Sequence, residues 1–276
     1  MKDADCVAFL QWALPRLGLR WPGFRKVRRQ VCRRIARRLE TLGLPDLVAY
    51  RSRLEADPAE WAALDALCHI TISRFLRDRA VWEALVRDVL PTLARAALAR
   101  TDRRLRAWSA GCASGEEPYG LAIAWALAVR PELPDVALEI VASDVDDAML
   151  RRAASACYAA GSLRELPAPW RMAAFERRAG TFCLRARFRE GIELRCEDVR
   201  VDQPEGPFDL VLCRNLAFTY FDDRAQRDFL GRIAERLRPG GALVLGRHER
   251  LPEDERFAPW PAAPCVFRRC GVEARA

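Results

Sequence analysis

Three stretches of this chain carry residues suited to holding a ligand. In Ala107-Trp108-Ser109-Ala110-Gly111-Cys112-Ala113-Ser114-Gly115-Glu116-Glu117-Pro118-Tyr119, a turn with few bulky side chains separates an apolar run from a helix-like one. Gly111 and Gly115 let the backbone approach a ligand where a Cβ would block it. Pro118 suits the first turn of the following helix. A cofactor there lies against a strand's carboxyl end and a helix N-terminus, the usual ligand position of an open α/β sheet. The spacing matches neither G-x-G-x-x-G nor the P-loop pattern, which argues against both readings. Asp144 ends the apolar run Val141-Ala142-Ser143. An acidic side chain there either accepts both hydrogens of a ribose diol or caps the next helix, a job equally open to Asp146 or Asp147. Arg214 and Asn215 follow the apolar run Phe208–Cys213, at the carboxyl edge where loops carry binding groups. The competing reading of Arg214 is a surface side chain in a routine ion pair.

The elements that must position these residues follow from periodicity. Residues 1–90 read as helical: Phe24, Val27, Val31, Ile35 and Leu39 recur at steps of three and four. Arg28, Arg29, Arg33, Arg34, Arg37 and Arg38 cover the other faces, and Gly43 and Pro45 end that helix. Leu47–Leu54 and Trp61–Leu67 predict two further helices, and Trp82–Ala99 another, interrupted at Pro91. From about residue 103, strands alternate with helices: Leu105–Ala110, Val136–Ser143, Phe208–Cys213 and Gly241–Gly246 against Tyr119–Val129, Asp147–Ser155 and Arg224–Leu237. That alternation implies a parallel sheet with both faces covered. It fails between Gly161 and Glu193, where Thr181–Arg185 and Ile192–Leu194 suggest a small inserted antiparallel unit.

Composition narrows the class. With 276 residues, 51% hydrophobic, the chain can bury a core as one large domain or two smaller ones. No apolar run approaches the ~18 residues of a spanning helix, and no signal-peptide pattern opens the sequence, so a soluble, cytoplasmic protein is expected. The ten cysteines lack C-x-x-C pairs and there are only two histidines, so reduced, mostly buried thiols and no metal site are expected. The first hundred residues hold 19 Lys and Arg against 11 Asp and Glu, whereas the remainder holds 27 of each. A basic module therefore precedes a neutral one.

The string A-G-C-x-S-G-E-E-P-Y resembles motif I of the CheR-type chemoreceptor glutamate methyltransferases. These are Class I enzymes that move a methyl group from S-adenosylmethionine to receptor glutamates. The resemblance implies an α/β, Rossmann-like sheet with an N-terminal helical domain and a small inserted β-subdomain. The expected division is 1–90 for the basic helical domain and 91–276 for the methyltransferase domain, with the β-insert at about 161–193. It further implies cofactor contacts from Ala110, Gly111 and Glu116 in motif I, and from Asp144 on the ribose, in a segment similar to the family's A-[ST]-D-[IV]-D. Thr71-Ile72-Ser73-Arg74-Phe75-Leu76-Arg77-Asp78 is similar to the family's T-x-F-F-R run, although Ser73 or Thr71 would also cap an ordinary helix. The resemblance gives Ser73 a cofactor contact and sends Arg77 to the methionine end, where a planar guanidinium fork suits a carboxylate. Cys213-Arg214-Asn215-Leu216-Ala217-Phe218-Thr219-Tyr220-Phe221 is similar to C-R-N-x-x-x-Y-F but one residue longer. It puts Arg214 and Tyr220, with Arg77, at methyl transfer and Asn215 and Leu216 at the cofactor. Asp198 and Val199, in Glu197-Asp198-Val199-Arg200, match the broader class, where an acidic residue meets the adenine amino group; a solvated loop aspartate is the alternative. Arg28–Leu44 is similar to the family's R-R-I-x-R-R-L-x-x-L-G-L, a basic helix that meets an acidic receptor helix.

The chemistry agrees with the resemblance. Glutamate, with a model value of about 4.3, is ionised at neutral pH and needs no general base to attack a sulfonium methyl. The enzyme has mainly to align the reacting atoms and exclude water. The rival enzyme reading is a divergent relative acting on a small molecule or another protein, supported by the longer Arg214–Phe221 loop and by Arg247-His248-Glu249 after Gly246. The non-enzyme rival is a cofactor-sensing or nucleic-acid-binding regulator; the arginines lack interleaved exposed aromatics, which disfavours nucleic acid.

Overall fold

The computed structural model describes residues 2–271, so the last five residues of the expected second domain lie outside the described residues. The chain forms two compact units, one of residues up to Ile70 with Thr219–Arg227, the other of Thr71–Phe218 with Asp228 onward. The expected division at residue 90 thus falls at Ile70. The helical run after Arg79 belongs to the second unit because its apolar face, including Trp82, Leu85, Leu90 and Leu93, joins the core of the large sheet.

The first unit is built from α1 (Asp3–Ala13), α2 (Trp21–Phe24), α3 (Arg28–Leu42), α4 (Leu47–Ala56) and α5 (Pro58–Cys68). Phe24, Val31, Ile35 and Leu39 of the apolar stripe are buried, and Gly43, at φ 65°, ends α3 with a left-handed cap. The Asp46 carboxyl accepts from the N–H groups of Val48 and Ala49 and so starts α4. The arginines of α3 divide into two sets. Arg34 donates to the carbonyls of Leu67 and His69, and Arg38 grips Glu60 at 3.0 and 2.7 Å, so both tie the bundle together. Arg29, Arg33 and Arg37 are exposed. The Tyr50 hydroxyl donates to Glu60 at 2.8 Å; the Arg38 bond holds the Glu60 carboxyl below its usual range, and burial pushes the Tyr50 phenol up.

The second unit centres on a seven-stranded sheet. Its strands are β1 (Arg104–Ala110), β2 (Ala137–Asp144), β6 (Ile192–Cys196), β7 (Phe208–Cys213), β8 (Leu237–Leu245), β9 (Phe257–Pro259) and β10 (Val266–Arg269), in the order β6-β2-β1-β7-β8-β10-β9. The first five run parallel, and β10 and β9 extend the sheet antiparallel. Strand order reverses direction between β1 and β7, so their carboxyl ends open a crevice at the switch point. Helices α6 (Arg79–Ala84), α7 (Leu90–Leu98), α8 (Glu116–Ala124), α9 (Asp147–Ser155) and the short α10 (Ala168–Ala174) belong to this unit, whereas α11 (Ala217–Tyr220) and α12 (Asp223–Arg236) are divided, their residues within 219–227 belonging to the first unit. Pro91 does not interrupt its helix. The π-helical turn Leu85–Val89, where the Leu90 N–H donates to the Leu85 carbonyl, re-pairs the backbone just before the proline.

Two expectations about the insert change. Ile192–Cys196 pairs with β2 in the main sheet rather than in the insert. The small sheet is three-stranded, β3 (Cys157–Tyr158), β5 (Thr181–Leu184) and β4 (Phe175–Arg178), in that order. Nor are all cysteines reduced: Cys6–Cys32 joins α1 to α3, and Cys157–Cys183 joins β3 to β5. Among the described residues no helix is long and apolar enough to cross a membrane.

Candidate cofactor and methyl-transfer site

The crevice between β1 and β7 is built from sharp backbone turns. After β1 the chain passes through Gly111, Ala113 and Gly115 at φ 74°, 48° and 87° before entering α8. The N–H groups of Gly111 and Cys112 donate to the Ser143 carbonyl at 2.8 and 2.9 Å, which locks the turn onto the end of β2. Gly111 holds φ 74°, which disfavours a Cβ, and a Cβ there would stand 2.6 Å from Leu216 Cδ2 and force that side chain to shift.

Asp144 is half-buried at the end of β2. Its Oδ2 accepts the Ala113 N–H at 2.8 Å and its Oδ1 the Asp146 N–H at 2.9 Å. The cap of α9 is Asp146, whose carboxyl accepts from Ala148 and Met149. Of the three aspartates, Asp146 is the cap, and Asp144 ties the Gly111–Gly115 turn to the end of β2. Glu197, just past β6, donates its N–H to the Asp144 carbonyl, which sets the loop carrying Asp198 and Val199 beside β2. The Asp198 carboxyl is bound on both oxygens by the Arg200 side chain and also accepts the Arg200 N–H. Val199 is buried.

Arg214 is the most connected of these side chains. It is 3% exposed, which excludes the surface ion pair. One nitrogen donates to the Arg77 carbonyl at 2.6 Å and to Asp78 at 2.8 Å; another reaches Glu117 at 3.4 Å. Its Nε–H is buried with no acceptor among the described residues. The segment before α6 is not a helix start, because Leu76 and Asp78 sit at φ 51° and 63° on either side of Arg77. Arg77 turns one nitrogen onto the Ile72 carbonyl at 3.1 Å, and Ser73 lies half-buried in the same extended segment. Asn215, at φ 58°, and Leu216 follow Arg214 directly.

Glu116 and Glu117 take different roles. Glu116 accepts from the Ser114 hydroxyl at 2.9 Å within the turn, next to Ala110 and Gly111. Glu117 accepts from Ser109 at 2.8 Å and meets Arg214. Burial pushes the Glu117 carboxyl up, while the Arg214 charge and the Ser109 hydroxyl pull it down. The family motif singles out Glu116, whereas the residues that hold Arg214 are Glu117 and Asp78. The adjacent pair of glutamates was the available signal. Burial drives the Cys112 and Cys213 thiols well above their usual value, so neither is a nucleophile. Tyr220 lies in the helical unit, its ring 5.0 Å from that of Phe24 and its carbonyl accepting from the Arg20 N–H.

Comparison with known families decides what this geometry belongs to. Residues 71–264 match the CheR methyltransferase, SAM binding domain, and residues 26–66 the CheR methyltransferase, all-alpha domain. The chain belongs to the CheR methyltransferase family. It is 36% identical over 186 residues to the chemotaxis protein methyltransferase of Listeria monocytogenes, covering 67% of this chain and 68% of that one. It is 34% identical over 203 residues to chemotaxis protein methyltransferase 2 of Vibrio cholerae, covering 72% and 69%. The Salmonella typhimurium chemotaxis protein methyltransferase matches at 34% over 234 residues, covering 81% and 76%. The CheR chain is therefore an S-adenosylmethionine-dependent methyltransferase with a Class I sheet, as its motif I led one to expect. Its residues fit that cofactor: a turn after β1 that runs through left-handed Gly111 and Gly115 into the start of α8, and an aspartate at the end of β2.

Proposed function

We propose that this CheR methyltransferase forms methyl esters on glutamate side chains of an acidic, helical, chemoreceptor-like protein. Bound S-adenosylmethionine supplies the methyl, which joins a carboxylate oxygen as the carbon–sulfur electron pair returns to sulfur. Gly111, Glu116, Asp144, Asn215 and Leu216 hold the cofactor, Asp198 and Val199 its adenine end, and Ser73 and Arg77 its methionine end. Arg214 orients the acceptor carboxylate. The observation that carries this reading is the buried Arg214 Nε–H, which has no acceptor among the described residues. A buried donor left unmade costs about 1–3 kcal/mol, and an anionic oxygen is the partner that best recovers it. An amine acceptor would gain nothing from that guanidinium.

The exposed row Arg29, Arg33 and Arg37 supports an acidic protein partner, since Arg34 and Arg38 are committed inside the bundle. The reading puts the protein in the cytoplasm, the compartment of its cofactor. The test is transfer of labelled methyl groups from S-adenosylmethionine into a cell extract, followed by mild base. Label released as methanol from a protein band supports the reading. Base-stable label on an amine or phenol overturns it, and label on a small molecule favours the divergent-acceptor alternative.

A further inference from the structure

The loop that carries Asn215 and Leu216 has no regular structure of its own to hold it. Asn215 sits at φ 58°, in the left-handed region that asparagine tolerates better than other side-chain-bearing residues. What fixes the loop beyond that local preference comes from the turn after β8. The Glu249 N–H donates to the Gly246 carbonyl at 3.0 Å, which folds Gly246-Arg247-His248-Glu249 back toward the end of β7. Glu249 Oε2 then accepts the N–H groups of Asn215 at 2.7 Å and Gly246 at 2.6 Å, and Oε1 accepts that of Leu216 at 3.1 Å. The fit is close: a Cβ on Gly246 would stand 2.9 Å from Asn215 Cγ. Leu216, fixed in this way, is the side chain that packs where Gly111 lacks a Cβ.

We propose that Glu249 is a positioning residue for the cofactor: its carboxyl group, by gathering three backbone N–H groups, sets the Asn215–Leu216 loop in the form that binds S-adenosylmethionine. The inference rests on the reading that Asn215 and Leu216 hold the cofactor. It differs from a general stabilising role, because the group it orients lies at the ligand and the group itself stays outside. Glutamine keeps one acceptor oxygen and turns an amide toward the remaining N–H; alanine removes all three contacts.

The experiment measures S-adenosylmethionine affinity by calorimetry, and KM and kcat for methyl transfer, on the full-length protein and its Glu249→Gln, Glu249→Ala and Asn215→Ala variants. Folding of each is checked by circular dichroism. Glu249→Gln should raise Kd and KM for the cofactor about tenfold with kcat within about twofold, the value of one lost hydrogen bond to a carboxylate. Glu249→Ala should lose more, and added acetate should restore part of that affinity, because position 249 is only half-buried and a free carboxylate can enter. Acetate should do nothing for Asn215→Ala. Weakened binding in Asn215→Ala with unchanged binding in both folded Glu249 variants would overturn the inference alone. Unchanged binding in Asn215→Ala would remove the reading on which it rests. Parallel loss of kcat and thermal stability in Glu249→Ala, with no acetate response, would reduce Glu249 to a structural residue and overturn the inference as well.

Discussion

Replacing Arg214 by methionine tests the centre of the site most directly. The substitution keeps an unbranched apolar stem and removes only the guanidinium. In the folded protein Arg214 is 3% exposed, Asp78 20% and Glu117 13%, so the group lost is buried and its partners nearly so. Removing one partner of a buried ion pair costs about 3–5 kcal/mol, because the other is left uncompensated. The partial exposure of Asp78 argues for the lower end, about 3 kcal/mol, or roughly 6–12 °C in melting temperature for a unit of this size. The loss should depend on pH. Burial already raises the folded Glu117 carboxyl, and Arg214 is the largest influence holding it down. A carboxyl whose folded value lies above its unfolded one contributes stability below the unfolded value and loses it as pH rises through the folded value. Without Arg214 the folded value climbs further, so the variant's deficit should be small at about pH 5 and grow by about pH 8. Urea denaturation followed by tryptophan fluorescence at both pH values reads this, since Trp82 lies 5.8 Å from the Arg214 guanidinium. A deficit equal at both pH values, or under about 1 kcal/mol throughout, would refute the account of Arg214 as the counter-charge of Glu117.

If Asp144 holds the ribose as proposed, Asp144→Ala should weaken cofactor binding by about 1–3 kcal/mol, the Ala113 turn also being freed, while α9 keeps its Asp146 cap. Calorimetry checks it, and unchanged affinity would remove Asp144 from the site. Reversing charge at Arg29 and Arg33, both exposed on α3, should slow association with the acidic acceptor and leave cofactor affinity intact. Stopped-flow binding at two salt concentrations reads the first effect, and a fall in cofactor affinity in the folded double variant would contradict the assignment.

The crevice at the strand ends was legible because its signal is local. Gly111 and Asp144 stand where an apolar run stops, and such runs mark parallel strands buried on both faces. β6 is hidden in the sequence because it is a half-exposed edge strand of which only Ile192–Leu194 reads as extended, and it follows a stretch with no strand–helix alternation. β9 and β10 are three and four residues long, too short to carry a pattern. The disulfides each join cysteines 26 apart with no motif between them, so pairing depends on which helices and strands meet. Glu117 and Glu116 differ only in their rotation about α8, which the left-handed Gly115 at its start fixes and composition does not record. Asp78 stands 136 residues from Arg214, so only the fold brings the two together.

The helical unit is assembled from two pieces of chain, residues up to Ile70 and the distant segment Thr219–Arg227. Leu19 bridges to Phe221, Arg20 donates its N–H to the Tyr220 carbonyl, and Phe24 packs on the Tyr220 ring. The basic unit is therefore not a detachable cassette, although the two family matches divide cleanly between residues 66 and 71. A chimera that exchanges only the N-terminal residues inherits a foreign strap at 219–227, and recombination between relatives must carry both pieces or neither. Changes in the first seventy residues and in Thr219–Arg227 are for that reason linked by packing within one unit, across about 150 residues of intervening sequence.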